Sequence, residues 1–395
     1  MRIPLCILAL VVCAYAADTP DKDNTDQQTP APAASSQATP PAADAPKPAD
    51  ATPPAPPPKY DGWAFSGLAD AYADHNSNNP AMGFNMLQNF DLHSGVPRLS
   101  LVKFTVDKSD KVFGIHLDVG AGETMRLIHA GDVAAIQHQG LRYVEQMYLI
   151  LKPNKTHGTE FDFGQFVTSA GAEVIESSSN WNYTRSILFS FAIPYYHFGF
   201  KSTTPITKEL TVGVQVVNAW NTVWGNNNMD NIGLTLAYTK PKYTYSLNYY
   251  EGPNHLGTTA GKRNLIDTTL LLTPNSKLNV YINGDWGRDD NPGGGSAQWE
   301  GIAGAARYQI TKLFAVAGRV EVFDDGKGFA TGTSQTLREA TGTGEFKLND
   351  HLVTRFEARH DASNHLFFDH GTGQPLTKGE TTITVGVVAL LGPLK

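Results

Sequence analysis

Cysteine is almost missing from this 395-residue chain: there are two, Cys6 and Cys13. Both fall in the first 16 residues, inside an apolar leader, so a chain without that leader has none. That excludes a disulfide framework, a thiolate zinc site and a cysteine nucleophile. An apolar run of about 20 residues, the length a spanning helix needs, is also missing. The mean hydropathy of −0.27 is too polar for a bundle of membrane helices. Basic charge is not in excess: 31 Lys and Arg stand against 38 Asp and Glu. That balance argues against a nucleic-acid partner. No G-x-S-x-G occurs, and Ser and His are scattered, so no hydrolase constellation stands out. Gly293-Gly294-Gly295-Ser296 lacks the Lys-Ser/Thr of a phosphate loop and reads as an external loop.

What is present begins with an export signal. Arg2, the apolar run 3–12 and the Ala14-Tyr15-Ala16 cleavage site make residues 1–16 a signal peptide for Sec export. Leu10-Val11-Val12-Cys13 resembles a lipoprotein box, but Val precedes the cysteine where a small residue is expected. Residues 17–59 hold 12 of the 24 prolines, with much Ala, Thr and Asp. Such a stretch buries no apolar surface and stays extended. At about 3.1 Å per residue it reaches on the order of 100 Å. It reads as a disordered periplasmic spacer, or as a tether to peptidoglycan.

From residue 60 to 395 the chain reads as one strand after another. Segments near 63–74, 97–107, 111–120, 142–152, 158–168, 194–202, 210–219, 231–240, 243–251, 265–273, 277–287, 298–310, 313–323, 336–348, 351–361 and 380–391 alternate polar and apolar residues. Each has about the 9–11 residues a tilted strand needs to cross a bilayer. Their even number suits a single-chain barrel. Connections alternate in length. Tight turns at 240–242, 273–276, 311–312 and 349–350 are interleaved with long links at 75–96, 121–141, 169–193, 219–230, 251–264, 288–297, 324–335 and 362–379. Lipid admits only helices and closed barrels, because every backbone polar group must be paired internally. The expected fold is an all-β, antiparallel, up-and-down transmembrane barrel of about 16 strands in the outer membrane of a Gram-negative bacterium.

The alternation assigns faces. Phe314, Val316, Val320 and Val322 would face lipid; so would Leu278, Val280, Ile282, Ile383, Val385, Val387 and Ala389. The opposite parity gives a charged lumen: His116, Asp118, Glu160, Asp162, Asp285, Arg319, Glu321, Glu339, Glu345, Arg355, Glu357 and Arg359. A charge turned to lipid near the midplane costs roughly 2–4 kcal/mol, which pins the register. Tyr249, Tyr250, Trp286, Trp299 and Tyr308 are candidates for interfacial girdles. The segment 171–201 is the densest in chemistry. It is long enough to fold into the lumen, where Glu173, Glu176, Asn180 and Arg185 would form a constriction. His360, His365 and His370 with Asp361 and Asp369 fit no standard metal spacing. Asp324-Asp325-Gly326 reads as a turn, so neither metal nor cofactor is expected.

The run GAEVIESSSNWNYTRSILFSFAIPYYHFGFK at 171–201 resembles the signature region of the OmpL-like β-barrel porin-2 family. Asn218-Ala219-Trp220, Asn226-Asn227-Asn228, Tyr250-Glu251-Gly252-Pro253, Trp299 and the run RVEVFDDG at 319–326 follow in the family's order. RFEARHDAS at 355–363 fits its R-x-E-x-R-x-D-x-S ending. Two departures stand out: Ala219 replaces the usual Gly, and the chain ends LLGPLK without a terminal aromatic. The resemblance implies an outer-membrane barrel with porin activity; the charged, wet lumen expected from parity adds passive diffusion of small hydrophilic solutes or ions, with no catalysis. From Tyr60 onward 32 acidic and 27 basic residues give a slight cation preference. Homotrimers are common among sixteen-stranded porins. The rival readings are a structural or adhesive protein tethered through 17–59, and an outer-membrane hydrolase.

Overall fold

Hydrogen bonding closes the sheet on itself, so that no strand is left as an edge. The structure, a computed structural model, describes residues 62–394. The signal peptide and the Pro/Ala-rich segment expected at 1–16 and 17–59 lie outside the described residues. Sixteen strands follow in chain order: β1 (Trp63–Asn76), β2 (Arg98–Ser109), β3 (Phe113–Ala121), β4 (Val144–Leu151), β5 (Glu160–Val167), β6 (Tyr196–Pro205), β7 (Leu210–Val217) and β8 (Asn231–Lys240). Then come β9 (Tyr243–Gly252), β10 (Arg263–Leu272), β11 (Leu278–Asp290), β12 (Ser296–Gln309), β13 (Phe314–Asp325), β14 (Gln335–Asn349), β15 (Leu352–Ser363) and β16 (Gly379–Leu394). Each strand pairs antiparallel with its sequence neighbours, and β16 pairs β1 to close the barrel. The strand count, order and alternation of links agree with the sequence reading.

The tight turns are held by side chains that mimic backbone acceptors. Asn275 Oδ1 accepts from the Lys277 and Leu278 amides at 2.9 and 3.0 Å. Thr311 Oγ1 accepts from the Leu313 and Phe314 amides at 3.2 and 3.1 Å. Asn349 Oδ1 accepts from the His351 amide at 2.7 Å. These turns share one end of the barrel with the start of β1 and the end of β16. The long loops share the other.

The outward face is hydrocarbon. Val320, Ile302 and Phe356 are 63, 57 and 53 % exposed, while Arg319, between Gly318 and Val320, is 1 % exposed. The lipid-facing parity expected for β11, β13 and β16 holds. Two of the five aromatics expected in a girdle do not lie there. Tyr250 and Trp299 are each 1 % exposed. Their inward parity with Asn248 and Ala303 puts them inside, where Trp299 stacks on Phe329 at 4.9 Å. Its indole N–H donates to the Ala192 carbonyl at 2.9 Å.

The interior is filled, not open. Six long loops contribute to an apolar core among the described residues: Met86, Leu87 and Phe90 from the β1–β2 loop, Met125 and Ile128 from the second, residues 170–195 from the third, Trp220 from the β7–β8 loop, Ala330 from the β13–β14 loop, and Phe367 and Phe368 from the last. The second carries two short helices, α1 (Glu123–Ile128) and α2 (Val133–Gln137), and the third a single turn, α3 (Ile187–Phe191).

Candidate functional site: an inserted loop and the charges that hold it

The loop between β5 and β6 crosses the barrel interior. Its backbone cannot pair in a sheet there, so its N–H and C=O groups need other partners. The strand wall supplies them. Glu357 on β15 accepts from the Tyr183 and Thr184 amides at 2.6 and 2.9 Å. Glu321 on β13 accepts from the Ile187 and Leu188 amides at 2.5 and 3.0 Å. Those are the first two N–H groups of α3, which have no intrahelical acceptor. Ser186 caps the same turn, accepting from the Phe189 amide at 2.9 Å.

Cations of the wall take the loop carbonyls. Arg319 donates to the Thr184 carbonyl at 2.8 Å and pairs with Glu173 at 2.7 Å and Glu339 at 3.1 Å. Arg359 donates to the Arg185 carbonyl at 2.6 Å and is clamped by Asp361 at 2.8 Å. Arg355 donates to the Ser177 and Asn180 carbonyls, the latter at 2.7 Å, and pairs with Glu345 at 2.7 Å. Arg307 holds the other oxygen of Glu345 at 2.6 Å. Asp70 on β1 accepts from the Ser177 and Tyr183 hydroxyls at 2.6 and 2.8 Å. Gly386 on β16 makes room: a Cβ there would stand 2.1 Å from the Tyr183 ring.

Seven of the residues assigned to the lumen by parity therefore grip the loop or each other: Arg319, Glu321, Glu339, Glu345, Arg355, Glu357 and Arg359. Parity alone suggests a wetted wall. Arg319, Glu321, Glu339, Arg355, Glu357 and Arg359 are instead 1–4 % exposed, because the loop lies on them. His116, Asp118, Glu160 and Asp162 form a separate group on β3 and β5. The His116 ring stacks on Tyr148 and bridges Asp107 at 2.7 Å and Asp118 at 3.1 Å. Asp162 pairs with Lys201 at 3.0 Å, and Glu160 with Lys152 at 2.8 Å. Asp285 is buried in the interior on β11, where Asn283 two residues before it donates to Asp267 at 2.8 Å.

The four constriction candidates separate as well. Glu173, Glu176 and Asn180 line a cavity of about 640 Å³ on the short-turn side of the loop. Asn180 braces the loop there, its amide exchanging hydrogen bonds with the Val174 backbone at 2.9 and 2.7 Å. Arg185 does not join them. It is 2 % exposed, its guanidinium lies 4.5 Å from the Phe90 ring, and it donates to the Tyr183 and Ile175 carbonyls. It is a rivet between two inserted loops.

Sequence reading passed over Lys103, which is the hub of the cavity wall. Its ammonium pairs with Asp118 at 3.2 Å, Glu145 at 3.5 Å and Glu176 more closely still. Burial pushes the Glu176 carboxyl up, but the Lys103 charge outweighs this and the group sits below its ordinary value. The signal was present: Val102, Phe104 and Val106 alternate with Lys103 and Thr105. Asp118, Glu145 and Glu176 bring oxygens within 4.8 Å of one another, the spacing of a cation site. The lysine already supplies the cation.

A closed sixteen-stranded barrel with a long loop laid across its interior is the architecture of porins. Solved structures with this fold include an anion-selective porin of Comamonas acidovorans, 11% identical with a TM-score of 0.58 over 83% of this chain and 99% of that one. The trimer form of OmpT of Vibrio cholerae is 11% identical, with a TM-score of 0.51 over 83% and 98% of the two chains. OmpF of Salmonella typhi, solved with daunomycin, is 11% identical, with a TM-score of 0.51 over 83% and 97%. No curated protein sequence matches the chain significantly. The family profile described as "putative beta-barrel porin-2, OmpL-like" matches residues 62–391. The chain belongs to that family and is an outer-membrane porin.

Proposed function

We propose that the protein is a restrictive, non-enzymatic diffusion channel for small hydrophilic solutes, with the β5–β6 loop as a fixed size filter. The observation that carries this reading is the density of charged anchors on the loop. Five ionisable side chains from β13 and β15, Arg319, Glu321, Arg355, Glu357 and Arg359, bond its backbone or side chains in a buried setting. Such bonds are roughly twice as strong as neutral ones, which suits a permanent constriction more than a flap. Solutes then cross beside the loop, past Lys103, Thr105, Glu176 and Asn180, where the cavity lies.

The carboxylates around that path outnumber the ammonium, since Lys103 serves Asp118, Glu145 and Glu176 together. This supports a weak cation preference. Export through the residue 1–16 signal, a periplasmic role for 17–59 in spacing or peptidoglycan contact, and a homotrimer belong to the same reading. The trimer finds support in the trimer form of the similarly folded OmpT. Planar-bilayer recording of the refolded protein is the test. Small, stable current steps with a reversal potential on the cation side are expected. Clear anion preference, or steps as large as those of an open sixteen-stranded pore, would refute the reading.

A further inference from the structure

The cavity beside the loop has a wall composition that a bare size filter does not require. Its volume of about 640 Å³ falls within the roughly 300–1,000 Å³ of small-molecule pockets. One wall is aromatic. Trp181 packs on Tyr281 with ring centres 5.0 Å apart and stays partly exposed. Tyr281 is fixed in turn, its hydroxyl donating to Glu173 at 3.2 Å. The lining also offers the Glu176 carboxylate, the Lys103 ammonium and the hydroxyls of Ser178 and Thr105.

The charges there select against ions as lodgers. An anion meets Glu173 and Glu176 in the cavity wall. A cation finds Lys103 already among Asp118, Glu145 and Glu176. A neutral ligand with many hydroxyls meets neither obstacle. It gains charge-assisted hydrogen bonds from Glu176 and Lys103, which are already paired with each other. Its ring also presents an apolar C–H face to the indole.

We propose that this cavity is a transient binding site for a neutral polyhydroxylated ring, a mono- or disaccharide. Trp181 is the stacking face; Glu176, Lys103, Ser178 and Thr105 are the hydroxyl partners. The inference rests on the porin reading and adds a solute class to it.

The full chain is reconstituted in a planar bilayer, and sucrose is added to the short-turn side. Arginine and glutamate serve as charged controls. Sucrose is expected to block the ion current reversibly and to saturate. Trp181→Ala should raise its half-blocking concentration about tenfold, and Trp181→Phe should recover part of that loss. Heat-modifiable electrophoretic mobility confirms that each variant keeps its barrel. Should Trp181→Ala lose the barrel, the comparison of wild type with Trp181→Phe still decides. Current steps that sucrose leaves untouched, equal block by arginine or glutamate, or no effect of the Trp181 changes would overturn the inference while leaving the porin reading in place. No current steps at all would overturn both.

Discussion

Glu357→Ala, combined with Glu321→Ala, should free the inserted loop without opening the barrel. The two carboxylates accept four backbone N–H bonds, from Tyr183, Thr184, Ile187 and Leu188. All four donors are buried. Hydrogen bonds to charged groups contribute about 1.5–3 kcal/mol each, and a buried donor left unmatched costs about 1–3 kcal/mol. Water entering the vacated space recovers part of this. A net loosening of about 3 kcal/mol is a moderate value for the pair and raises the detached population roughly a hundredfold. The barrel's ladder bonds are untouched, so its heat-modifiable mobility should persist. The assay is single-channel conductance together with protease cleavage within 171–195. Larger, noisier steps and new cleavage are expected. Glu357→Gln, which keeps one acceptor oxygen, should fall between the double variant and the wild type. Unchanged conductance and a loop that still resists protease would refute the view that these carboxylates hold it.

Three further outcomes follow from the same geometry. Gly386→Ala drives a Cβ into the Tyr183 ring, and such overpacking costs about 1–3 kcal/mol; thermal unfolding should show a lower midpoint and a loop less protected from protease. Lys103→Met leaves Asp118, Glu145 and Glu176 without their shared cation, so reversal potentials in a salt gradient should move further toward cation preference; no movement would remove Lys103 from the path. Asp91, in the β1–β2 loop, is pushed up to about 8 by burial, against the pull of Arg359 and with Asp74 and Glu357 raising it further. A carboxyl raised in the folded state stabilises below its unfolded value and loses that contribution as pH climbs toward 8. Protease resistance of residues 77–97 should therefore decline from about pH 4 to about pH 8, and Asp91→Asn should flatten the decline.

Much of this protein was determined by local pattern. The period-two alternation of RFEARHDAS fixes which face of β15 meets hydrocarbon, because a one-residue slip would turn Arg355, Glu357 and Arg359 outward. Link lengths decide which end carries the loops. The same parity, applied consistently, already removes Tyr250 and Trp299 from an interfacial girdle, since both share a face with inward polar residues. A long link that mixes Glu173, Glu176 and Arg185 with Trp181, Tyr183 and a run of aliphatics marks a segment able to enter the barrel.

Tertiary structure decided what those charges do. Parity says that Glu321 and Glu357 point inward; it does not say that they meet backbone N–H groups more than 130 residues away instead of water. Arg185 reads like a selectivity residue from its neighbours, yet Phe90 arrives from another loop and buries it. Lys103 becomes a hub only when β2, β3, β4 and the inserted loop bring Asp118, Glu145 and Glu176 around one ammonium. Period and turn chemistry act over a few residues, so the sequence holds them openly. Pairing of buried charge depends on which distant segments share the interior, and only the closed barrel brings them together.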